Sequence, residues 1–147
     1  MAGNPLVDQG TLNRLRGSIT WSSNPSLNIT APYLGREGIS LSLTGEATQF
    51  FPTLTGTSTS PEPYQMIEVT VHLLKTQSFA DLYKKQMEAS SLLGNGVVWP
   101  DTTTLSTYEI LNCGIKSVRE LPFNGTSPEW VVTIGGYYLV NSSLWNL

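Results

Sequence analysis

A period-two alternation of apolar and polar side chains runs through most of this 147-residue chain and limits its possible folds more than any other feature. Successive side chains of a β-strand point to opposite faces of a sheet, so the alternation predicts strands with one buried and one solvent-exposed face. It is clearest at residues 65–74, QMIEVTVHLL, where every second residue from Ile67 to Leu73 is aliphatic. The same pattern predicts further strands at residues 15–21, 39–51, 107–121 and 130–140.

One segment departs from this pattern and predicts a helix, residues 78–93, SFADLYKKQMEASSLL. Ser78 is a suitable N-cap, and Gly94 or Gly96 is expected to end the helix. Apolar side chains recur at helical spacing along one stripe, for which a sheet is the natural packing partner. The residues of this stripe are Phe79, Leu82, Tyr83, Met87 and Leu93.

The length of the chain and the positions of its turn residues predict a single domain spanning residues 1–147. Residues 1–13 are expected to form a flexible N-terminal arm, and the proline-rich residues 52–64 an exposed loop. Residues 95–106, NGVVWPDTTTLS, are also predicted as a loop. The predicted fold class is therefore α+β and mainly β: a β-sandwich or barrel of about six to eight strands with one mid-chain helix.

Low charge content is the main functional hint in the composition. Charged residues make up 13% of the chain, about half the usual share, and the net charge is −3. Few charges weaken the usual defence against self-association, which favours a protein that assembles with itself. The eight basic residues are scattered, which argues against tight nucleic-acid binding. No apolar run approaches the roughly 20 residues that span a bilayer, and the first ten residues lack signal-peptide features, so neither a membrane partner nor a leader is expected.

The sequence contains no recognisable motif for catalysis or metal binding. His72 is the only histidine and belongs to a predicted strand, so we expect it on the polar face of a sheet. Cys113 is the only cysteine; it suits a reducing compartment, and we expect it to pack as a small apolar residue. One histidine and one cysteine do not supply the ligands of a typical zinc site. We therefore predict no enzyme activity, no cofactor and no metal.

The order of the elements resembles that of the tail tube proteins of tailed bacteriophages with contractile tails. The similarity covers roughly residues 15–141 and is strongest in two segments. The first is a strong strand followed by the helix, EVTVHLLKTQSFADLYKKQMEAS, and the second is the glycine-containing last strand, WVVTIGGYYLVN. The haemolysin-coregulated tube protein of type VI secretion has the same fold.

The resemblance implies a structural virion protein rather than an enzyme. Its subunits would form hexameric rings that stack into a hollow tube, through which genomic DNA passes without specific binding. The implied partners are other copies of the chain, the tail sheath, the baseplate or tube initiator, and the tail terminator. The implied location is the tail of the virion, assembled in the host cytoplasm.

The resemblance also suggests which residues face the lumen of such a tube. The strand at residues 39–49 is expected to contribute, with the helix packed on the outside. The residues expected to face the lumen are Ser40, Ser42, Thr44 and Glu46. The N-terminal arm and the loop at residues 52–64 would make contacts between stacked rings.

Three other functions stay open at this point. A tube subunit of a secretion system would have the same fold, and no distinct sequence signature separates it from a phage protein. A β-sandwich binding module for a glycan or receptor would instead use exposed aromatic residues such as Trp99 or Trp145 as stacking platforms. A hydrolase with paired carboxylates is the weakest alternative, because nothing marks out two of the eleven acidic residues.

Overall fold

The computed structural model describes residues 7–146 and confirms the α+β, mainly β class, with eight strands and one α-helix in that range. The strands are β1 (Ser18–Trp21), β2 (Leu34–Thr44), β3 (Thr48–Pro52), β4 (Thr57–Pro61), β5 (Tyr64–Leu74), β6 (Leu92–Trp99), β7 (Tyr108–Glu120) and β8 (Glu129–Leu139). The helix, α1, is Ser78–Ala89, and three short 3-10 turns are Pro25–Leu27, Ala31–Tyr33 and Ser142–Trp145. None of the helices in the described range is long and apolar enough to cross a membrane.

Six of the strands form one curled antiparallel sheet in the order β1-β6-β7-β8-β5-β2. The remaining two, β3 and β4, form a separate two-stranded hairpin. The second sheet is therefore a hairpin and not the opposing layer of a sandwich. Strands β1 and β2 lie at the two edges of the large sheet, and this placement decides where another chain can pair with it.

The core lies on one face of the curled sheet, which we call the inner face. Val69 lies opposite Ile134 and Val71 opposite Val132 in the β5–β8 ladder, so these side chains project to the same side. All four are almost completely buried, as the alternation in QMIEVTVHLL predicts. Side chains on the opposite side of the ladder form what we call the outer face.

Helix α1 packs on the inner face, where an aromatic side chain anchors it. The hydroxyl of Tyr83 accepts a hydrogen bond from Trp21 Nε1 (3.0 Å) and donates one to the carbonyl oxygen of Leu27 (2.6 Å). Phe79 stacks on Tyr33 with ring centroids 4.1 Å apart. The helix is thus attached to β1 and to the loop that follows it, and the outer face is left uncovered by the helix.

The predicted end of the helix is wrong. The helix ends at Ala89, and residues 92–99 form β6, which pairs with β1 and β7. Leu93 is completely buried in the core from this strand and does not belong to the helical stripe. Gly94 has a positive φ of 84° at an irregularity of the β6–β7 ladder. This glycine therefore permits the local distortion of β6 and does not end the helix.

The predicted start and stripe of the helix also need correction. Ser78 is the first helical residue, Gln77 occupies the N-cap position, and no side-chain hydrogen bond from the described residues caps this end. Phe79 and Tyr83 are buried and Met87 packs against the core, as predicted, but Leu82 is 44% exposed. At 3.6 residues per turn, Leu82 lies about 60° outside the buried arc that runs from Phe79 through Tyr83 and Met87 to Ala80. Ala80 is buried there in its place.

The last strand approaches its neighbour closely at Gly136, the second of its two adjacent glycines. A Cβ atom on Gly136 would lie 2.7 Å from Cys113 Sγ and 2.9 Å from the carbonyl oxygen of Leu111. Strand β7 bulges between Leu111 and Gly114, with Asn112 at a φ of 49°. A side chain at position 136 would therefore push against this bulge.

The proline-rich segment is exposed, as predicted, but it is not a loop. Most of it belongs to the β3–β4 hairpin. Threonine favours strands and proline is tolerated at strand ends, so this composition is compatible with two short strands. The predicted arm at residues 1–13 lies partly outside the described residues, which begin at 7. Residues 7–13 are exposed and have no regular secondary structure.

Candidate functional site

Three of the four residues predicted to face a lumen lie together on the outer face of β2. Ser40, Ser42 and Thr44 are exposed, and in the ladder they lie opposite Thr70, Glu68 and Met66 of β5. Glu46 is also exposed but lies beyond the end of β2. Gly45 has a φ of 82°, which breaks the strand that the sequence predicted to run to residue 51.

The central part of the outer face carries small hydroxyl side chains and paired charges. Thr70 lies opposite Thr133, and Thr133 opposite Ser117 of β7. Lys116 Nζ lies 3.5 Å from a carboxylate oxygen of Glu68. Thr133 is only 1% exposed, so the exposed hydroxyl groups here are those of β2 and Ser117. Among the described residues, this surface has no cluster of cations of the kind that holds DNA tightly.

His72 is also on the outer face, where the sequence predicted it. Its Nε2 atom lies 3.4 Å from a carboxylate oxygen of Glu37, and its side chain is 14% exposed. Glu37 reaches it from the irregular stretch of β2 between Leu34 and Ile39. The contact between His72 and Glu37 thus links β5 to the irregular stretch of the edge strand.

One end of the outer face is apolar, which the sequence reasoning missed. Tyr64 and Leu139 lie opposite each other in the β5–β8 ladder, as do Met66 and Tyr137. The rings of Tyr64 and Tyr137 meet edge to face with centroids 5.8 Å apart, and Tyr64, Met66 and Leu139 are about half exposed. In the sequence these residues appear only as apolar side chains at alternate positions near the ends of two strands. The register of the β5–β8 ladder brings them together.

Strand β2 has an unpaired edge. In residues 7–146, β5 is the only strand that pairs with β2, so the backbone groups on its other side have no strand partner. The opposite edge of the sheet is better protected, because Ile19 of β1 exchanges two backbone hydrogen bonds with Ile29 (3.0 and 2.8 Å). Asn28 Oδ1 also accepts a hydrogen bond from the backbone N–H of Trp21 (2.7 Å). The open edge of the domain is therefore β2.

A cleft of about 850 Å³, lined by apolar side chains and by charged ones such as Arg36 and Asp101, lies beside this open edge. Leu41 and Leu43 of β2 form one wall, and Trp99, Leu105 and Tyr108 contribute to the other. Leu43, Trp99 and Leu105 are 41%, 38% and 49% exposed, respectively. The curl of the sheet thus stops short of closure and leaves inner-face side chains partly uncovered.

The β3–β4 hairpin exposes nearly all of its residues. Phe50 and Phe51 are 62% and 51% exposed, and Leu54 at the turn is fully exposed. Its base is held by Asn141, whose side-chain amide donates hydrogen bonds to the carbonyl oxygens of Ala47 (3.0 Å) and Glu62 (2.8 Å). The hairpin is attached at its base and leaves its apolar side chains exposed to solvent.

Within residues 7–146, reactive side chains are not gathered into a site. Cys113 is 1% exposed, and burial raises the pKa of its thiol to about 12. No group of three or more His, Cys, Asp or Glu side chains in the described part of the chain is placed to hold a metal ion. A scan against models of known protein families finds no match, and a search of curated proteins finds none either. The features that bear on function are therefore the outer face, the open edge of β2 with its cleft, and the β3–β4 hairpin.

Proposed function

We propose that this chain is a structural virion protein whose copies form hexameric rings that stack into the hollow tail tube of a contractile-tailed bacteriophage. The observation that carries the proposal is the unpaired edge of β2 beside a cleft in which Leu43, Trp99 and Leu105 are partly exposed. An open edge next to exposed apolar surface invites pairing with another chain. Closure into a symmetric ring gives every copy the same partner and leaves no edge free to aggregate.

The large apolar side chains on the surface support assembly on more than one side. Phe123 is 83% exposed, Leu92 71% and Trp145 59%. Single exposed apolar residues are ordinary, but these lie on separate elements and add to those of the hairpin and the cleft. A tube subunit needs contacts within a ring, between rings and with a surrounding sheath. Baseplate initiator and tail terminator proteins would occupy the same ring surfaces at the two ends of the tube.

The outer face suits the lining of a channel through which DNA slides. Ser40, Ser42 and Thr44 offer small neutral hydroxyl groups, and the nearby Lys116 is paired with Glu68. Each free cation in such a lining would bind a phosphate and release counterions, which would hold the DNA in place. Because α1 packs on the inner face, it leaves the outer face available to line a lumen.

Two alternatives share parts of this surface. A secretion-tube subunit would use the same edge, cleft and hairpin, and would differ in cargo. A glycan- or receptor-binding module is favoured by a different observation, the edge-to-face pair of the half-exposed Tyr64 and the more buried Tyr137 at the end of the outer face. Aromatic rings of this kind serve as stacking platforms for a sugar.

Electron microscopy of the purified full chain tests the proposal. At high concentration, negatively stained samples are expected to show rings of uniform diameter and hollow tubes, and light scattering should give a mass of about six chains for the smallest ring. A protein that stays monomeric at every concentration contradicts the proposal. Retention of that monomer on a glycan array, lost on Tyr64→Ala, would favour the binding-module alternative instead.

A further inference from the structure

The β3–β4 hairpin lacks the support that such an element needs. An isolated two-stranded hairpin is marginally stable in water. Here Phe50 and Phe51 are neighbours in a strand, so they point to opposite faces of the hairpin, and both are more than half exposed. Packing on a partner would bury at least one of these rings and stabilise the hairpin.

The cleft beside β2 lacks a covering strand. Leu41 and Leu43 lie opposite Val69 and Ile67 of β5 on the inner face. Val69 and Ile67 are at most 3% exposed, whereas Leu43 is 41% exposed. A further strand beyond β2 would continue the sheet over the cleft and cover these two leucines.

The hairpin and the open edge match in length. Strand β3 has five residues and the regular part of β2, Ile39–Thr44, has six, which correspond to about 17 and 20 Å at 3.4 Å per residue. Residues 48–61 contain no charged side chain, so the hairpin adds no ion of its own to a cleft that is lined in part by Arg14, Arg36, Glu37 and Asp101. Pro52 and Pro61 end the two strands of the hairpin, which limits any added pairing to a short segment.

From these features we infer that the hairpin of one copy pairs with the free edge of β2 in a second copy and places one phenyl ring, from Phe50 or Phe51, in its cleft. This inference rests on the self-assembly proposed above and names its contact. The hairpin does not pair with β2 of its own copy, since that edge is unpaired in the described residues. Hairpin and cleft are different surfaces of the same chain, so the contact can be heterologous and repeat from copy to copy, as rings and stacks require.

Serine substitutions in the hairpin test the inference without disturbing the core. The double variant Phe50→Ser/Phe51→Ser removes both exposed rings, and its circular dichroism and melting temperature should match the wild type. Sedimentation velocity should show that it needs at least ten times the wild-type concentration to assemble. The matched control is Leu82→Ser, which removes an apolar side chain that is 44% exposed on α1 and should assemble at close to the wild-type concentration.

Chemical cross-linking tests directly whether the hairpin of one copy contacts the cleft of another. A mixture of Phe51→Cys and Leu43→Cys chains, treated with a short flexible bismaleimide, should yield a covalent dimer of the two variants. Cys113 is buried and should not compete. The control mixture pairs Phe51→Cys with Leu92→Cys, an exposed residue at the other end of β6 from the cleft, and should yield none.

The outcomes separate this contact from the proposed function. If the double serine variant forms tubes at the wild-type concentration and the first mixture gives no dimer, the docking is wrong and the tube proposal stands. If the wild type never assembles and neither mixture gives a dimer, both are wrong. A dimer from the first mixture alone supports the docking even where rings are too rare to be seen, because the cross-link traps transient contacts.

Discussion

Tyr83 and Cys113 are ionisable side chains placed inside the core, and both favour their neutral forms there. Burial raises the pKa of Tyr83 well above its ordinary value of 10.0, and the hydrogen bond from Trp21 offsets only part of that effect. Burial alone raises the pKa of Cys113 from about 9 to about 12. The sequence predicted the packing role of Cys113, and its 1% exposure confirms it.

Alkaline pH should destabilise the fold through these two residues. Between about pH 9 and pH 12, an unfolded chain releases the Cys113 proton while the folded chain keeps it. Stability from this group is therefore complete below pH 9 and falls as the pH rises, by up to about 1.4 kcal/mol per pH unit. Tyr83 acts in the same direction above its ordinary pKa of 10.0. Urea unfolding from pH 7.5 to 10.5 should show this decline.

The variant Cys113→Ala isolates the contribution of the thiol. Its free energy of unfolding starts lower, because a buried atom is lost, but it should fall less steeply above pH 9 than that of the wild type. The control Tyr64→Phe, which changes a half-exposed side chain, should keep the wild-type slope. If the free energy of unfolding falls equally steeply with pH for the wild type and Cys113→Ala, burial in the core does not keep the thiol protonated.

At the scale of elements, the helix shows how a correct periodicity can still misplace a residue. Five apolar residues at helical spacing predicted a stripe, and the structure buries Phe79 and Tyr83 while leaving Leu82 at the margin. The choice among them is made by the partners of the helix, Tyr33 and the carbonyl oxygen of Leu27. These partners are distant in sequence, and the helical pattern contains no information about them.

Alanine substitutions on the helix should follow burial and not the predicted stripe. Phe79→Ala removes a ring that is 7% exposed and stacked on Tyr33, so it should cost about 3 kcal/mol or more. Leu82→Ala removes a side chain that is 44% exposed, so its cost should stay below about 1 kcal/mol. Urea denaturation followed by circular dichroism measures both. Similar costs for the two variants would contradict this packing of α1.

At the scale of the whole molecule, the curled sheet separates three surfaces with different chemistry. The inner face holds the core and the helix, the outer face carries hydroxyl groups around Ser42, and the edge of β2 borders a cleft with partly exposed apolar side chains. This separation allows one chain to assemble through the edge and to present a neutral wall to a lumen at the same time.

A cation on the outer face should leave assembly intact and make the tube hold DNA. The side chain of Ser42 is exposed opposite Glu68 and does not occupy the free backbone edge, so Ser42→Lys should form rings and tubes like the wild type. Six added lysines per proposed ring should retain duplex DNA in a salt-sensitive way, because phosphate contacts release counterions. Co-sedimentation of tubes with DNA at low and moderate salt measures this.

The control for this variant adds the same charge elsewhere. Ser90→Lys places a lysine at the exposed end of α1, away from the outer face, and should bind no more DNA than the wild type. Equal retention by both variants would argue against a lumen at Ser42. Failure of Ser42→Lys to assemble would place Ser42 in a contact between subunits.

The sequence by itself was sufficient for the elements whose signals are local. Strands β5, β7 and β8 lie within a few residues of the predicted segments, and the faces of β2 and β5 follow their alternation, because a strand turns successive side chains to opposite sides wherever it pairs. The same local reading missed β6, whose glycines resemble loop residues, and the hairpin, whose prolines resemble a linker. Both are strands because a neighbouring strand supplies hydrogen-bond partners.

The tertiary structure alone decided which edge of the sheet stays open, where the cleft lies and which apolar residues remain exposed. The sequence placed Leu43 in the core-facing set of β2, and the incomplete curl of the sheet leaves it 41% exposed. Strand order, register and curl depend on pairings between segments far apart in the chain, such as β5 with β8 and β1 with β6. Local periodicity determines which way a side chain points, and only the closed or open geometry of the sheet determines what covers it.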